Sequence, residues 1–249
     1  MNADEIKKVG IAGGGVMGGG IAMTFVQHGY AVVIRDISDE AVAHTRSTVQ
    51  HGRFGWEGAV DRGKFTRGQV DAFANNLSFT TDVEGLSDCD LIIEAVPEDE
   101  ELKKKVWAEL DSRVKPAAIF ATNTSGFAIG SLNQAVSRRD RFIGMHWFSP
   151  ANIMKLVELV HAPETSEECI ATMEETCRRI GRTSVRVKDA PGSYGFIANR
   201  VYFAAVAEAR KIAEAGLATP EDIDTAMKLG YNWPSGPLEM FRGARSGWQ

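Results

Sequence analysis

The segment that most constrains this chain covers residues 9–36 and reads VGIAGGGVMGGGIAMTFVQHGYAVVIRD. A short apolar run (Val9, Ile11, Ala12) enters a glycine cluster, a helix-compatible stretch follows over 16–28, and a second apolar run over 31–34 leads to Asp36. The pattern predicts a strand, a turn, a helix and a second strand.

Gly13, Gly15 and Gly18 have the spacing of the dinucleotide fingerprint, in which each glycine has its own mechanical role. One allows a tight turn, one allows close backbone approach to a pyrophosphate, and one allows close packing of helix on strand. The helix that starts at Val16 and Met17 then faces the phosphates with unpaired N–H groups and a partial positive charge. Asp36 stands eighteen residues past Gly18, where a carboxylate accepts hydrogen bonds from an adenosine ribose. A 2′-phosphate would meet that carboxylate as a like charge, so NAD is favoured over NADP, with Arg35 as a counter-signal. Glycine runs also make ordinary loops; agreement of strand, helix, second strand and acidic end is what favours the cofactor.

At 249 residues the chain can hold one large domain or two smaller ones around a substantial core. A net charge of −5 argues against nucleic acid or an anionic membrane as the main partner. The amino-terminal MNADEIKK is charged and leads into the first strand without an apolar secretory core, and no stretch has the length of a membrane span. Cys89, Cys169 and Cys177 are too few and too scattered for a disulfide framework or a zinc site. They read as reduced structural thiols of a cytoplasmic protein, and no metal is expected.

Beyond Asp36, Ser38 with Asp39 and Glu40 reads as a capped helix start. Residues 53–76 are polar and broken by Gly55, Gly58, Gly63 and Gly68, which predicts helices on a projecting arm that either covers a ligand or is a solvated hairpin. DLIIEAVPED holds a short strand with Glu94 and Glu98 near its carboxyl end, the edge where ligands bind in open parallel sheets. A helix over 100–111 follows, and AAIFATNTSGF holds the next strand, with Thr122, Asn123, Thr124 and Ser125 at its carboxyl end. Further strands are predicted over 142–145, ending on His146, and over 154–160; a helix capped by Ser166 and the strand TSVRV complete the sheet. The alternation predicts an α/β fold, a Rossmann-type, doubly wound, mostly parallel sheet. DAPGSYG is the strongest linker signal, and helical patterns over 196–214, over 219–230 and after YNWPSGPLEM predict a small all-α C-terminal domain. The expected division is 1–190 and 191–249; the second part is marginal for a core of its own and should lean on the first or on another subunit.

Ser125 and His146 sit at carboxyl ends of strands, and Asn199 follows the linker. Glu158 lies inside an otherwise apolar strand, where a carboxylate is costly unless something pairs with it, and His146 is its nearest plausible partner in sequence. Such a pair transfers protons: the acid fixes the tautomer and stabilises the imidazolium, which suits removal of a hydroxyl proton as hydride leaves for a nicotinamide. A structural histidine and a helix-capping Asn199 are the plainer readings of the same residues.

The motifs GGGVMGGGIA, EAVPEDEELK, ATNTSGF, GMHWFSPANIMKLVELV, FIANR and TPEDIDTAMKLGYNWPSGPLEM occur in an order that resembles the 3-hydroxyacyl-CoA dehydrogenases, especially short bacterial 3-hydroxybutyryl-CoA enzymes. The resemblance implies reversible NAD-dependent oxidation of a short (S)-3-hydroxyacyl-CoA to the 3-oxoacyl-CoA, with His146 as general base, Glu158 orienting it, and Ser125 and Asn199 bonded to the substrate's oxygens. It implies that Glu98 and Lys103 place the nicotinamide ribose, that Asn123 joins the cofactor site, and that the 53–76 arm with Lys64 helps hold coenzyme A. Ser149 stands where the family has an asparagine against the substrate, and Ser193, Tyr194 and Gly195 lengthen the linker before FIANR. After GPLEM the chain reads FRGARSGWQ, where the family continues through an aspartate and further helices. A homodimer, or a chain completed by a partner subunit, is therefore expected. Two rival readings stay open: a related dehydrogenase for a 3-hydroxy acid without coenzyme A, and a non-enzymatic NAD-binding or assembly protein.

Overall fold

Strands β1 (Lys8–Ala12), β2 (Ala31–Arg35), β3 (Leu77–Thr80), β4 (Leu91–Glu94), β5 (Ile119–Thr122), β6 (Phe142–Trp147), β7 (Leu156–His161) and β8 (Thr183–Lys188) form one sheet in the first of two units, Met1–Tyr194. The computed structural model describes residues 1–246, so the end of the tail FRGARSGWQ lies outside the described residues. The sheet order is β3-β2-β1-β4-β5-β6-β7-β8, and every neighbouring pair is parallel except β6 with β7. This is a doubly wound α/β sheet.

The chain leaves β1 toward β2 on one side and later returns to β4 on the other. With right-handed crossovers, that reversal places connecting helices on opposite faces. The period of two along each strand shows both faces. Ile119, Ala121, Ile143, Met145 and Trp147 share a core with Ile21 and Phe25 of α1 (Val16–Gln27) and with Met173 and Cys177 of α7 (Glu167–Arg179). Between these strand positions, Phe120 and Phe142 turn the other way, each 4.9 Å from the Trp107 ring of α5 (Glu100–Arg113). The remaining helices of this unit are α2 (Asp39–His51), α3 (Trp56–Asp61), α4 (Arg67–Asn75) and the single turn α6 (Ile129–Leu132).

Several boundaries differ from those the sequence suggests. Pairing of His146 with Glu158 and of Trp147 with Val157 carries β6 past the histidine, which therefore lies within the ladder. β7 starts only at Leu156, because the N–H groups of Ile153 and Met154 both donate to the Pro150 carbonyl in a turn. β3 has no forecast counterpart: four residues on the sheet edge give too little period-two pattern to read. Within the 53–76 segment, the sparse apolar residues are decisive. Trp56 and Val70 are buried in the main core, Phe65 and Phe73 pack against it, and Glu57 accepts two bonds from Arg67 at 2.7 and 2.8 Å.

The second unit, from Gly195, consists of α8 (Ile197–Glu214), α9 (Pro220–Tyr231) and α10 (Pro237–Ser246) around a small core of Val206, Ala209, Ile223 and Leu238. The Thr219 hydroxyl accepts from the Asp222 N–H at 3.1 Å and caps α9. The helix runs through Gly230 and stops at Asn232, whose φ of 56° ends it in a left-handed residue. Asp224, 3 % exposed, accepts from the Leu238 N–H at 2.8 Å and joins α9 to α10.

At the carboxyl ends of β4 and β5 the first unit buries a charge. Glu94 is wholly buried; its Oε1 accepts from Lys103 Nζ at 2.7 Å and from the Val96 N–H at 2.8 Å, and its Oε2 from the Thr122 hydroxyl at 2.7 Å. Burial pushes the Glu94 carboxyl up, and the buried Lys103 ammonium opposes it. Removing one partner of such a pair leaves an uncompensated charge in an apolar sheet. Lys103→Ala should therefore lower the stability of the first unit by roughly 3–5 kcal/mol in urea denaturation. The double change Lys103→Met with Glu94→Gln should recover a large part of that loss; no recovery would show that the charge pair is not what Lys103 contributes.

Candidate active site

The sheet order reverses between β1 and β4, and in doubly wound sheets ligands bind outside the strand ends at such a switch point. A cavity of about 590 Å³ opens there. Gly13, Gly15, Val16 and Met17 line it from the first crossover, Asp36 and Ile37 from beyond β2, Val96 and Glu98 from beyond β4, and Asn123 and Ser125 from beyond β5.

The glycines fit a dinucleotide. Gly13 has φ +98°, and a Cβ there would lie 2.8 Å from the Ala95 carbonyl oxygen. At Gly18 a Cβ would stand 1.9 Å from the Gly13 oxygen, so only a bare Cα lets α1 pack beneath the turn. A Cβ on Gly15, by contrast, would meet no protein atom within 4 Å, so this backbone faces open space. Gly15 is also the N-cap of α1, whose first turn carries neither a side-chain cap nor an acid. The unpaired N–H groups and the positive end of the dipole thus meet the cavity where a pyrophosphate would lie.

Asp36 is held at one end of the cavity. Its Oδ2 accepts from the Gly14 N–H at 2.8 Å and its Oδ1 from the Ile37 N–H at 2.8 Å. Arg35 also lines the cavity, and its guanidinium lies 3.8 Å from Glu109 and donates to the Thr81 carbonyl at 3.4 Å. Leu102 and Val106 of α5 also line the cavity. In sequence they resemble ordinary core positions of an amphipathic helix, and only the 37 % exposure of Leu102 marks it as a wall.

Glu98 stands toward the other end, with donors gathered on Oε1. Its Oε1 accepts from the Thr124 hydroxyl at 2.6 Å, the Ser125 N–H at 2.8 Å and the Tyr194 hydroxyl at 3.3 Å; Lys103 Nζ lies 3.3 Å from its Oε2. Lys103 does not line the cavity. Its ammonium is buried between Glu94 and Glu98, so it acts on the site through Glu98. Thr124 and Tyr194 are partners to which sequence reasoning gave no role, since their contacts with Glu98 join residues far apart in the chain.

Asn123 ties this wall to the next strand, its Oδ1 accepting from the Trp147 N–H at 2.9 Å. The neighbouring His146 is 4 % exposed, and its Nδ1 lies 2.7 Å from Oε2 of the fully buried Glu158. The two face each other across the antiparallel β6–β7 pair, so the ladder sets their distance. The Phe148 ring packs on the imidazole at 4.6 Å between centroids.

The other forecast residues are placed apart. Ser149 is half-buried in the turn after β6. Lys64 is exposed between α3 and α4, its ammonium 5.4 Å from the Phe65 ring centroid, and is not among the cavity's lining residues. Asn199 lies in the second unit, in the first turn of α8, half-buried. Cys89, Cys169 and Cys177 are buried thiols pushed up to about 12 by burial, and the described residues hold no cluster suited to a metal ion. No described helix is long and apolar enough to cross a membrane.

Comparison with known proteins agrees with this geometry. The NAD-binding domain of 3-hydroxyacyl-CoA dehydrogenase matches residues 8–190, and the C-terminal domain of the same family matches residues 195–246. A 3-hydroxybutyryl-CoA dehydrogenase of Mycobacterium tuberculosis is 37 % identical over 240 residues, covering 96 % of this chain and 82 % of that protein. The mitochondrial hydroxyacyl-coenzyme A dehydrogenase of Rattus norvegicus is 36 % identical over 238 residues, 94 % of this chain and 75 % of its own. The crystal structure of (S)-3-hydroxybutyryl-CoA dehydrogenase from Ralstonia eutropha superposes with a TM-score of 0.89 at 38 % identity, covering 94 % of this chain and 81 % of that one. This chain belongs to the 3-hydroxyacyl-CoA dehydrogenase family and uses NAD.

Proposed function

We propose that the protein oxidises a short-chain (S)-3-hydroxyacyl-CoA reversibly to the 3-oxoacyl-CoA, with His146 as the general base and Glu158 as its orienting partner. The observation that carries this reading is the 2.7 Å contact between His146 Nδ1 and Glu158 Oε2, buried beside the wall of a dinucleotide cavity. NAD, when bound, supplies the hydride acceptor.

Glu158 accepts a hydrogen bond from the Nδ1–H and thereby fixes the tautomer, so the substrate hydroxyl proton is taken at Nε2. As the C3–H bond breaks with its electron pair leaving as hydride, the O–H bond gives its proton to His146 and the carbonyl forms. Glu158 stabilises the imidazolium that results. Ser125 and Asn199 are each assigned to hydrogen bonds with the substrate's oxygens, Ser149 to a further substrate contact, and Lys64 with the 53–76 segment to coenzyme A. The nicotinamide ribose is assigned to the Glu98 and Asn123 end of the cavity, with Lys103 holding Glu98. Asp36 is assigned to the adenosine ribose, a choice supported by the other engagements of Arg35.

The reading also makes the chain a homodimer or one member of a larger assembly, which the 64–82 % exposure of Val201, Leu229 and Tyr231 supports. Sedimentation should then give at least twice the mass of one chain.

NADH formation should be rapid with NAD and (S)-3-hydroxybutyryl-CoA and slow with free 3-hydroxybutyrate; faster turnover of the free acid would move the substrate class away from coenzyme A. His146→Ala should cut turnover by about a hundredfold or more while NADH still binds, as expected for loss of a general base. Unchanged turnover would remove His146 from the mechanism. NADP should support far less turnover than NAD, and Asp36→Ala should narrow the gap; equal use of both by the unaltered protein would contradict the assignment of Asp36.

A further inference from the structure

The segment that joins the two units carries a tyrosine to which neither the fold nor the proposed reaction gives a role. Tyr194 is the last residue of the first unit and keeps 58 % of its surface exposed. Its hydroxyl nevertheless donates to Glu98 Oε1 at 3.3 Å, and its ring meets Phe127 edge-on, with centroids 5.9 Å apart and planes at 81°. Phe127 follows Ser125 by two residues, so this ring contact holds the tyrosine beside the cavity's second wall. Burial, together with the neighbouring Glu98 carboxylate, pushes the Tyr194 hydroxyl up, which keeps it a donor.

Glu98 is the acid that lines the cavity away from Asp36. Behind it Lys103 is shared with Glu94, so its ammonium is divided between two carboxyl groups. A carboxylate there favours the oxidised nicotinamide, which is cationic, over the reduced ring, which is neutral. Each hydrogen bond to Glu98 withdraws part of that charge. Thr124 and Ser125 reach Oε1 from the loop after β5, and Lys103 of α5 lies against Oε2; Tyr194 reaches Oε1 from the linker.

We propose that Tyr194 is a positioning residue that acts through Glu98 to set the relative affinity of the site for oxidised and reduced cofactor. The inference rests on the assignment of the nicotinamide to the Glu98 end of the cavity. The Tyr194 hydroxyl is the active part, and the contact with Phe127 delivers it.

The test is titration of the full chain with NADH by fluorescence, and with NAD by competition, for the unaltered protein, Tyr194→Phe and Tyr194→Ala. Tyr194→Phe keeps the ring on Phe127 and removes only the donor. The ratio of the NADH to the NAD dissociation constant should rise by about threefold, the scale of one hydrogen bond to a charged acceptor that is partly open to water. Tyr194→Ala should show the same rise. General damage to the site would weaken both cofactors together and leave the ratio alone. An unchanged ratio in Tyr194→Phe, or a change confined to Tyr194→Ala, would overturn the proposal. Failure of the unaltered protein to bind either cofactor would overturn the cofactor site itself, and this inference with it.

Discussion

A carboxylate inside an apolar sheet must be given a cation or a set of donors, because water no longer provides them. This chain places two wholly buried glutamates in strands, Glu94 at the end of β4 and Glu158 within β7. Meeting that demand organises much of what surrounds the site. Glu94 draws Lys103 out of α5 and the Thr122 hydroxyl out of β5, which fixes two strand ends against one helix. The same ammonium then reaches Glu98, so a structural requirement one step below the cavity also aims an acid on its wall.

The cavity is the result of topology and missing side chains acting together. Reversal of strand order between β1 and β4 leaves a gap at their carboxyl ends that neither crossover covers. Glycines then bring backbone into that gap where side chains would fill it: Gly13 and Gly18 by close approach, Gly15 by facing open space. The polarity of the walls follows. The dipole end of α1 stands in the middle, with a carboxylate toward each end, Asp36 and Glu98. That alternation of charge matches a molecule with ribose hydroxyls flanking an anionic pyrophosphate.

The parts of this arrangement that depend on local pattern were legible in the sequence. The fingerprint spacing, the strand–helix alternation and the misfit of Glu158 in an apolar strand each carry their own signal within a few residues. The antiparallel pairing then brings His146 opposite Glu158, the partner chosen because a buried acid needs one. What stayed hidden depends on contacts between residues far apart in the chain. Lys103 looks like any charged position on an amphipathic helix, yet it is fully buried because Glu94, nine residues earlier, receives it. β3 is too short to show a period, Asn232 ends α9 in a left-handed conformation beyond the 219–230 pattern, and nothing near Tyr194 announces Glu98, ninety-six residues away.

The two buried acids meet the same electrostatic problem with different partners, and the difference separates structure from chemistry. The Lys103 ammonium lies against Glu94 and reaches Glu98 as well, so this pair serves the packing of the strand ends. Imidazole is the side chain whose ordinary titration lies near neutrality, so a carboxylate paired with histidine can see its partner's charge come and go. Had Glu158 faced a lysine, it would still have a buried partner, and the base proposed for the site would be missing. Had Glu94 faced a histidine, loss of a proton there would leave the buried acid unpaired and release Glu98 from its anchor. The pairing of lysine with one glutamate and histidine with the other is therefore the point at which the requirements of a stable sheet and those of the proposed proton transfer part company.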